Sequence, residues 1–413
     1  MNIYQQLIAA TALASLLVAP TRASADDVVV EWNQIALAAT ETALQGPVPQ
    51  IRTMTIVQVS VHDAVNAITC DYRTYLAIRC GPWGTADAAA IGAAHRAIVR
   101  LLPAQTSELN AARKASLAAH GLTDADPGVA FGEAVAEIML TLRSNDGSAQ
   151  AQFPYTAPGA GTPGVWIAVG AAPPVLPGWR KVTPWIVRNL SQFRPDGPPP
   201  LHSRRYARDY NEIKEIGSST SATRTAEQTE IARFWLASPS PIWNGVARQL
   251  IQAQGLDLSA TARTFALMYL ASADASIACW DAKYTFNFWR PITAIQNGDA
   301  DGNPRTDGEP SWTPLFPTPQ HPEYLSGHST NSSAMATVLK LLFGDEPGVP
   351  IVATSATNPG FERNWSSVSE GVDEVIEARI YSGIHYRTSD EDGAAVGRRV
   401  ARFVVTHALR PRK

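Results

Sequence analysis

The sequence predicts a mainly α-helical protein. Two observations carry that expectation: apolar residues recur at mixed spacings of three and four along most of the chain, and few segments alternate as strands do. A third bounds it. The 413 residues are 45% hydrophobic, enough to bury a large core, and no internal repeat is apparent.

The N-terminus reads MNIYQQLIAATALASLLVAPTRASADD. The apolar run from Leu7 to Val18 is too short to span a bilayer comfortably, and Ala23-Ser24-Ala25 has the small-x-small pattern of a cleavage site, although no Lys or Arg precedes the run. We therefore expect a signal peptide over 1–25 and an exported mature chain of 413 − 25 = 388 residues. Residues 26–413 are expected to form a single large α-helical domain. No later segment has the length and apolarity of a membrane span. Only 17% of residues are charged and the net charge is −3, which disfavours a nucleic-acid partner.

Helical periodicity then recurs over 52–68, 88–102, 126–143, 226–237 and 243–254. Cys70 and Cys80 flank DYRTYLAIR and are able to pair in an oxidising compartment; Cys279 is expected to be a buried, inert thiol. Between 152 and 200 the chain carries YTAPGAGTPG, AAPPVLPGW and DGPPP, where helices cannot persist. Three tryptophans there (Trp166, Trp179, Trp185) predict an ordered loop wrapped over a helical core and not a solvated linker. The run from Ser259 to about Phe288 is the longest and most apolar, hence the most buried helix. In DADGNPRTDGEP (299–310), Asp299, Asp301 and Asn303 have the alternation of a calcium loop. Pro304 and Pro310 stand where such a loop needs Gly and Glu, so a polar surface loop is expected.

Three segments carry chemistry. In KYTFNFWRP, Lys283 and Arg290 lie seven residues apart, near one face of a helix that Pro291 ends. In HPEYLSGHST, Ser326 is a fitting N-cap for a helix running to Gly344. Its N-terminus, with Gly327 and His328 in the first turn, suits an oxyanion. In ARIYSGIHYRTSDEDG, Arg379 and His385 would point about 120° apart on an unbroken helix, but Gly383 supplies a turn. Ser389 then reads as the N-cap of the last helix. Singly, these are a surface cation pair, a helix cap and a helical corner. Together they offer three cations, two histidines and one helix N-terminus, the equipment for binding and activating a tetrahedral oxyanion.

Lys-x6-Arg-Pro, Ser-Gly-His and Arg-x5-His, in that order, resemble the three motifs of the vanadium-dependent haloperoxidases within the phosphatidic-acid-phosphatase superfamily. The aromatic form KYTFNFWRP and the upstream VHDAVNAI resemble the haloperoxidase branch. The resemblance implies an all-α fold of helical bundles and a vanadate cofactor. It implies that Lys283, Arg290 and Arg379 bind the equatorial oxygens of vanadate or phosphate, with hydrogen bonds from Ser326 and the Gly327 amide. His328 would be the acid–base residue and His385 the metal ligand, or the nucleophile of a phosphatase. Lys283 would also polarise bound peroxide, which makes it catalytic together with the two histidines.

His321 stands where bromide-using relatives carry a histidine, which makes it, with Trp289, a halide-site candidate favouring bromide or iodide. The implied partners are hydrogen peroxide, halide and a small organic acceptor, and a homodimer is compatible with the resemblance. Two departures stand out. Leu325 replaces the usual Pro, predicting a looser turn. Ser389 stands where the superfamily often has an Asp that orients the histidine, and Asp390 comes one position late. An acid phosphatase using a phosphohistidine, or a catalytically weak periplasmic oxyanion-binding protein, are the alternatives.

Overall fold

The computed structural model describes residues 27–412; the expected signal peptide over 1–25 lies outside the described residues. In chain order the helices are α1 (Val28–Thr42), α2 (Pro47–Thr69), α3 (Ala86–Leu101), α4 (Thr106–Ala119), α5 (Pro127–Arg143), α6 (Arg204–Ile216) and α7 (Ala226–Phe234). They continue as α8 (Pro239–Gln254), α9 (Leu258–Phe286), α10 (Pro291–Gln296), α11 (Gly327–Phe343), α12 (Val368–Tyr381) and α13 (Arg387–His407). Between α11 and α12, β1 (Ile351–Ala353) and β2 (Arg363–Trp365) pair antiparallel, Ile351 opposite Trp365. The all-α expectation holds. No described helix is long and apolar enough to cross a membrane.

Helix starts follow local chemistry. The side chains of Asp27, Thr85, Asp126, Ser203, Asp257 and Ser367 each accept a first-turn N–H, which satisfies donors that the helix itself leaves free. Thr225 and Gln228 form a reciprocal capping box on α7. One of these helices, α9, is buried on all sides and packs against α2, α11 and α13. A helix that is apolar all round has no other stable place than the centre.

Two glycine seams let backbones approach. Cβ atoms on Gly92 (α3) and Gly132 (α5) would strike the carbonyl oxygens of Val129 and Ala89 across the α3–α5 contact. On α13, Cβ atoms on Gly393 and Gly397 would strike Thr330 of α11. The second seam matters for the site, because it sets the start of α13 against the start of α11.

The Pro/Gly-rich segment over 152–200 lies on the helices, with Trp166, Trp179 and Trp185 buried. Asp274, inside α9, accepts the backbone N–H groups of Trp185, Ile186 and Val187 at 2.7–2.9 Å. The Val175 N–H donates to Gln320 O (2.7 Å), and Val175 O accepts from Tyr284 Oη (2.7 Å). Cys70 and Cys80 are bonded and Cys279 is buried and free. The loop at 299–310 lies at the surface as expected, most of its residues exposed, but it is internally ordered. Asp301 and Asn303 are buried, and Asp301 accepts from Asn303 N (2.7 Å) and Thr306 Oγ1 (2.8 Å), so its carboxylate is spent on closing the turn.

Candidate active site

The end of α9 places the first cation. Asn287 caps the helix in the left-handed region, φ 48°, so the chain leaves α9 just after the turn that holds Lys283. Lys283 and Arg290 therefore do not share a helix face, as their spacing predicted. Arg290 is the extended residue before Pro291, at the start of α10, and comes to the site from the far side of the turn. Both are fully buried. Lys283 Nζ donates to Pro322 O (2.9 Å) and Glu323 O (3.0 Å). Arg290 Nε donates to His321 O (2.8 Å) and Nη1 to Ile384 O (2.9 Å).

The segment 321–326 threads between these elements. Its Glu323 N–H donates to Phe288 O (2.9 Å), and its Ser326 N–H to Ser389 O (3.1 Å). Leu325 is fully buried with its carbonyl facing the Cys279 thiol at 3.6 Å, so the turn is packed and not loosened. Ser326 caps α11 as expected and accepts from Ser329 N. The first-turn amides that follow are the ones a helix leaves without internal acceptors. A Cβ on Gly327 would lie 3.6 Å from the Trp280 ring, in the space where an oxyanion would face those amides. His328 Nε2 lies 3.2 Å from Ala237 O. A carbonyl only accepts, so Nε2 carries the hydrogen and Nδ1 is the free base.

The third segment turns at Gly383, φ 76°, two residues beyond the end of α12. An added Cβ there would strike Gly217 O, so only glycine allows the turn. The turn brings Arg379 and His385 together. Arg379 Nη1 donates to Trp235 O (2.7 Å), while its Nε is buried without a hydrogen-bond partner. His385 Nε2 lies 3.3 Å from Arg290 Nη1, and His385 Nδ1 lies 2.9 Å from Glu323 Oε1.

Glu323 escaped the sequence reading, although it sits two residues after His321 in the stretch already singled out. Its partner is 62 residues away, and no local pattern marks that pairing. Ser389 is not the N-cap of α13. Tyr386 holds that position, and the Ser389 hydroxyl donates to Glu323 Oε2. Nor does Asp390 stand in for an orienting Asp. Its Oδ1 accepts from Ser329 Oγ at 2.7 Å, and its Oδ2 is buried without a partner.

The electrostatics follow from burial. Lys283 is pushed down to about 7, and Arg290 and Arg379 to about 10, chiefly by loss of solvation. His328 and His385 fall well below the usual imidazole range, first through burial and then through the neighbouring cations. Burial pushes Glu323 up to about 7, against the donors that pull it back, and Asp390 well above the carboxylate range. The site thus combines three buried cations, whose described partners include carbonyl oxygens but no ion-paired carboxylate, with neutral imidazoles. A buried charge of this kind is costly unless an opposite charge meets it. The orphaned Arg379 Nε is a donor directed at nothing in the chain. A tetrahedral oxyanion, vanadate or phosphate, fits both the charge and the donor set.

A cavity of about 790 Å³ opens onto the site. Its polar floor includes His321, His328, Arg379 and His385, and its walls are apolar: Val48, Pro173, Val175, Leu176 and Trp280 contribute. His321 is half-buried there, 2.9 Å through Nδ1 from Arg290 Nη2 and with its ring centroid 5.4 Å from that of Trp280. Trp289 is not among the lining residues. It is buried, its backbone N–H bonded to Gly164 O, and Trp280 is the tryptophan beside His321. Trp289, named with His321 as a halide-site candidate, is thus not at the cavity: the chain leaves α9 at Asn287, and Trp289 packs away from it.

Comparison with known proteins gives a consistent grouping. A family model described as the VCPO second helical-bundle domain matches residues 263–413, which contain all three motif segments. The chain is 24% identical over 407 residues to the vanadium chloroperoxidase of Curvularia inaequalis, covering 78% of this chain. It spans 66% of the length of that curated relative. Among solved structures, a bacterial vanadium-dependent iodoperoxidase aligns with a TM-score of 0.81 and 25% identity over 94% of this chain and 97% of that one. An apo-type bacterial vanadium-dependent chloroperoxidase shares the fold, with a TM-score of 0.70 at 20% identity, covering 88% of this chain and 95% of that one.

Proposed function

We propose that the chain is a member of the vanadium-dependent haloperoxidase family and, from that premise, that it is a vanadate-dependent haloperoxidase, oxidising halide with hydrogen peroxide to hypohalous acid for transfer to a small organic acceptor. One observation carries the proposal: the buried cations Lys283, Arg290 and Arg379 surround His385, Arg290 Nη1 lying 3.3 Å from its Nε2, and Arg379, His385 and Gly327 at the start of α11 line the cavity.

The residues divide the work. Lys283, Arg290 and Arg379 would hold the charge of the oxyanion, Ser326 and the amide of Gly327 would add hydrogen bonds, and His385 Nε2 would be the protein's ligand to the metal. Vanadate, when bound, supplies an electrophilic centre at which peroxide becomes able to oxidise halide by two electrons. Lys283, whose Nζ keeps one N–H beyond those given to Pro322 O and Glu323 O, would be the donor that polarises peroxide. His328 enters as a neutral base, its Nδ1 taking a proton while Nε2–H stays on Ala237 O. The apolar walls lower the polarity beside the floor, which strengthens each of these charges. For the halide we propose bromide or iodide ahead of chloride, on His321 lining the cavity and on the easier oxidation of the heavier halides. Export is part of the proposal, supported by the disulfide between Cys70 and Cys80.

The same cage would accept phosphate, and the His385 lone pair could attack phosphorus, so an acid phosphatase is the second reading. The test is halogenation of a phenolic indicator with peroxide and each halide, with and without added vanadate, beside hydrolysis of a phosphate ester. Vanadate-dependent halogenation is expected. Ester hydrolysis without halogenation would transfer the site to the phosphatase reading.

A further inference from the structure

We propose that Glu323 is the positioning carboxylate of His385, replacing from a different segment the acid that the superfamily often carries at the position of Ser389. The proposal rests on the vanadate reading of this site. Its basis is a closed set of hydrogen bonds. Glu323 Oε1 accepts from His385 Nδ1 (2.9 Å) and from the Tyr386 N–H (3.0 Å), and Oε2 accepts from Ser389 Oγ. Glu323 is fully buried, and its own N–H and carbonyl are fixed by Phe288 O and Lys283 Nζ. The carboxylate therefore has little freedom to leave the histidine.

One acceptor and one donor determine the tautomer from opposite sides. Glu323 accepts, so Nδ1 carries the hydrogen. Arg290 Nη1 can only donate, so Nε2, 3.3 Å away, presents a lone pair. That lone pair is what a bond to an oxyanion's central atom needs. A carboxylate behind a ligating imidazole fixes its orientation and raises its basicity.

The arrangement also explains Ser389. An Asp there would place a second carboxylate where the serine hydroxyl now donates to Glu323. Two buried carboxylates in contact repel, and one must take up a proton. Glu at 323 and Ser at 389 are thus two halves of one solution, and Ser389 is not a mark of lost function.

The test uses the full chain and measures vanadate and phosphate affinity by calorimetry, with thermal melting to confirm folding. The variants are Glu323→Gln, His385→Ala and the relocated pair Glu323→Ala/Ser389→Asp. Phosphate needs the cations; vanadate needs the cations and the His385 bond. Glu323→Gln should weaken vanadate by about 10- to 100-fold, the range seen when a group behind a metal ligand is lost. Phosphate affinity should stay within about twofold. The relocated pair should recover most of the vanadate affinity. Unchanged vanadate affinity in Glu323→Gln, with His385→Ala weakened, overturns the Glu323 assignment alone. Equal loss of both oxyanions in a folded Glu323→Gln protein also overturns it, since that is the mark of a general packing role. If His385→Ala itself binds vanadate as tightly as the parent, the ligand reading fails and this assignment fails with it.

Discussion

At the scale of single residues the site separates into groups that hold charge and groups that make or move a bond. His385→Ala should remove the protein–vanadium bond while leaving three cations, so vanadate binds more weakly and turnover largely vanishes. His328→Ala should still bind vanadate yet lose about 10²- to 10⁴-fold in rate, the usual contribution of a general acid–base group. Vanadate titration and halogenation at saturating vanadate measure the two separately; a His385→Ala protein with parental affinity contradicts the division. Lys283 adds a pH signature. Burial lowers it to about 7 from its ordinary 10.5, so in the apo-protein it is charged below about 7 and neutral above. Its contribution to oxyanion affinity is complete on the acid side and fades as pH rises, by at most about tenfold per pH unit while binding must also take up its proton. The ratio of phosphate affinities, parent over Lys283→Gln, cancels the titration of phosphate itself. That ratio should fall between pH 6 and 9. A constant ratio means that Lys283 does not titrate in this range.

At the scale of elements, the position of one helix start against another decides whether the site exists. The sequence foretold α11 almost to the residue, because Ser326 and Gly344 are local caps and caps are local chemistry. It foretold the corner at Gly383 for the same reason. It could not foretell that Arg290 leaves the line of α9, since the left-handed turn at Asn287 is imposed by the path of the chain and not by a glycine. Nor could it pair Glu323 with His385, or find strands of three residues in β1 and β2, too short to show an alternation. What joins α11 to α13 is the glycine seam, and it gives a test. Gly397→Ala should be destabilising, because its methyl would strike the Thr330 carbonyl of α11. Overpacking of this kind costs about 1–3 kcal/mol, more than the roughly 1 kcal/mol that alanine gains over glycine within a helix. The parting of α11 and α13 should also stretch the Ser326–Ser389 bond and weaken phosphate binding. Gly245→Ala in α8 is the control: the nearest atom a methyl would meet is an Arg248 nitrogen at 4.0 Å, so this change should stabilise. Denaturant unfolding of both proteins measures the contrast. Equal stability of Gly397→Ala and the parent shows that the seam has slack.

For the whole molecule, the cationic site is a stability defect that its ligand repairs. Most of the chain is an ordinary core: α9 surrounded by helices and covered by the tryptophan-bearing segment, which is why the fold class was legible from periodicity alone. The site is where that logic is broken, with three cationic side chains buried together. Anything that binds the folded but not the unfolded chain adds RT ln(1 + [L]/Kd), about 2.7 kcal/mol at a hundredfold excess over Kd. The described chain has 412 − 27 + 1 = 386 residues. With an unfolding entropy of about 2.1 cal/mol/K per residue, that corresponds to a rise in melting temperature of about 3 °C. Vanadate and phosphate should both produce the rise, and sodium chloride at the same ionic strength should not. Arg379→Met tests the cause, because methionine keeps much of the side chain's length and removes its charge. The variant should melt at or above the parent in anion-free buffer, since replacing a buried charge by an apolar group is often neutral or favourable. It should lose most of the oxyanion-induced rise. An Arg379→Met protein that melts far below the parent without any anion would show the reverse: the guanidinium would then be kept for its hydrogen bond to Trp235 O, and the charge would be incidental to binding.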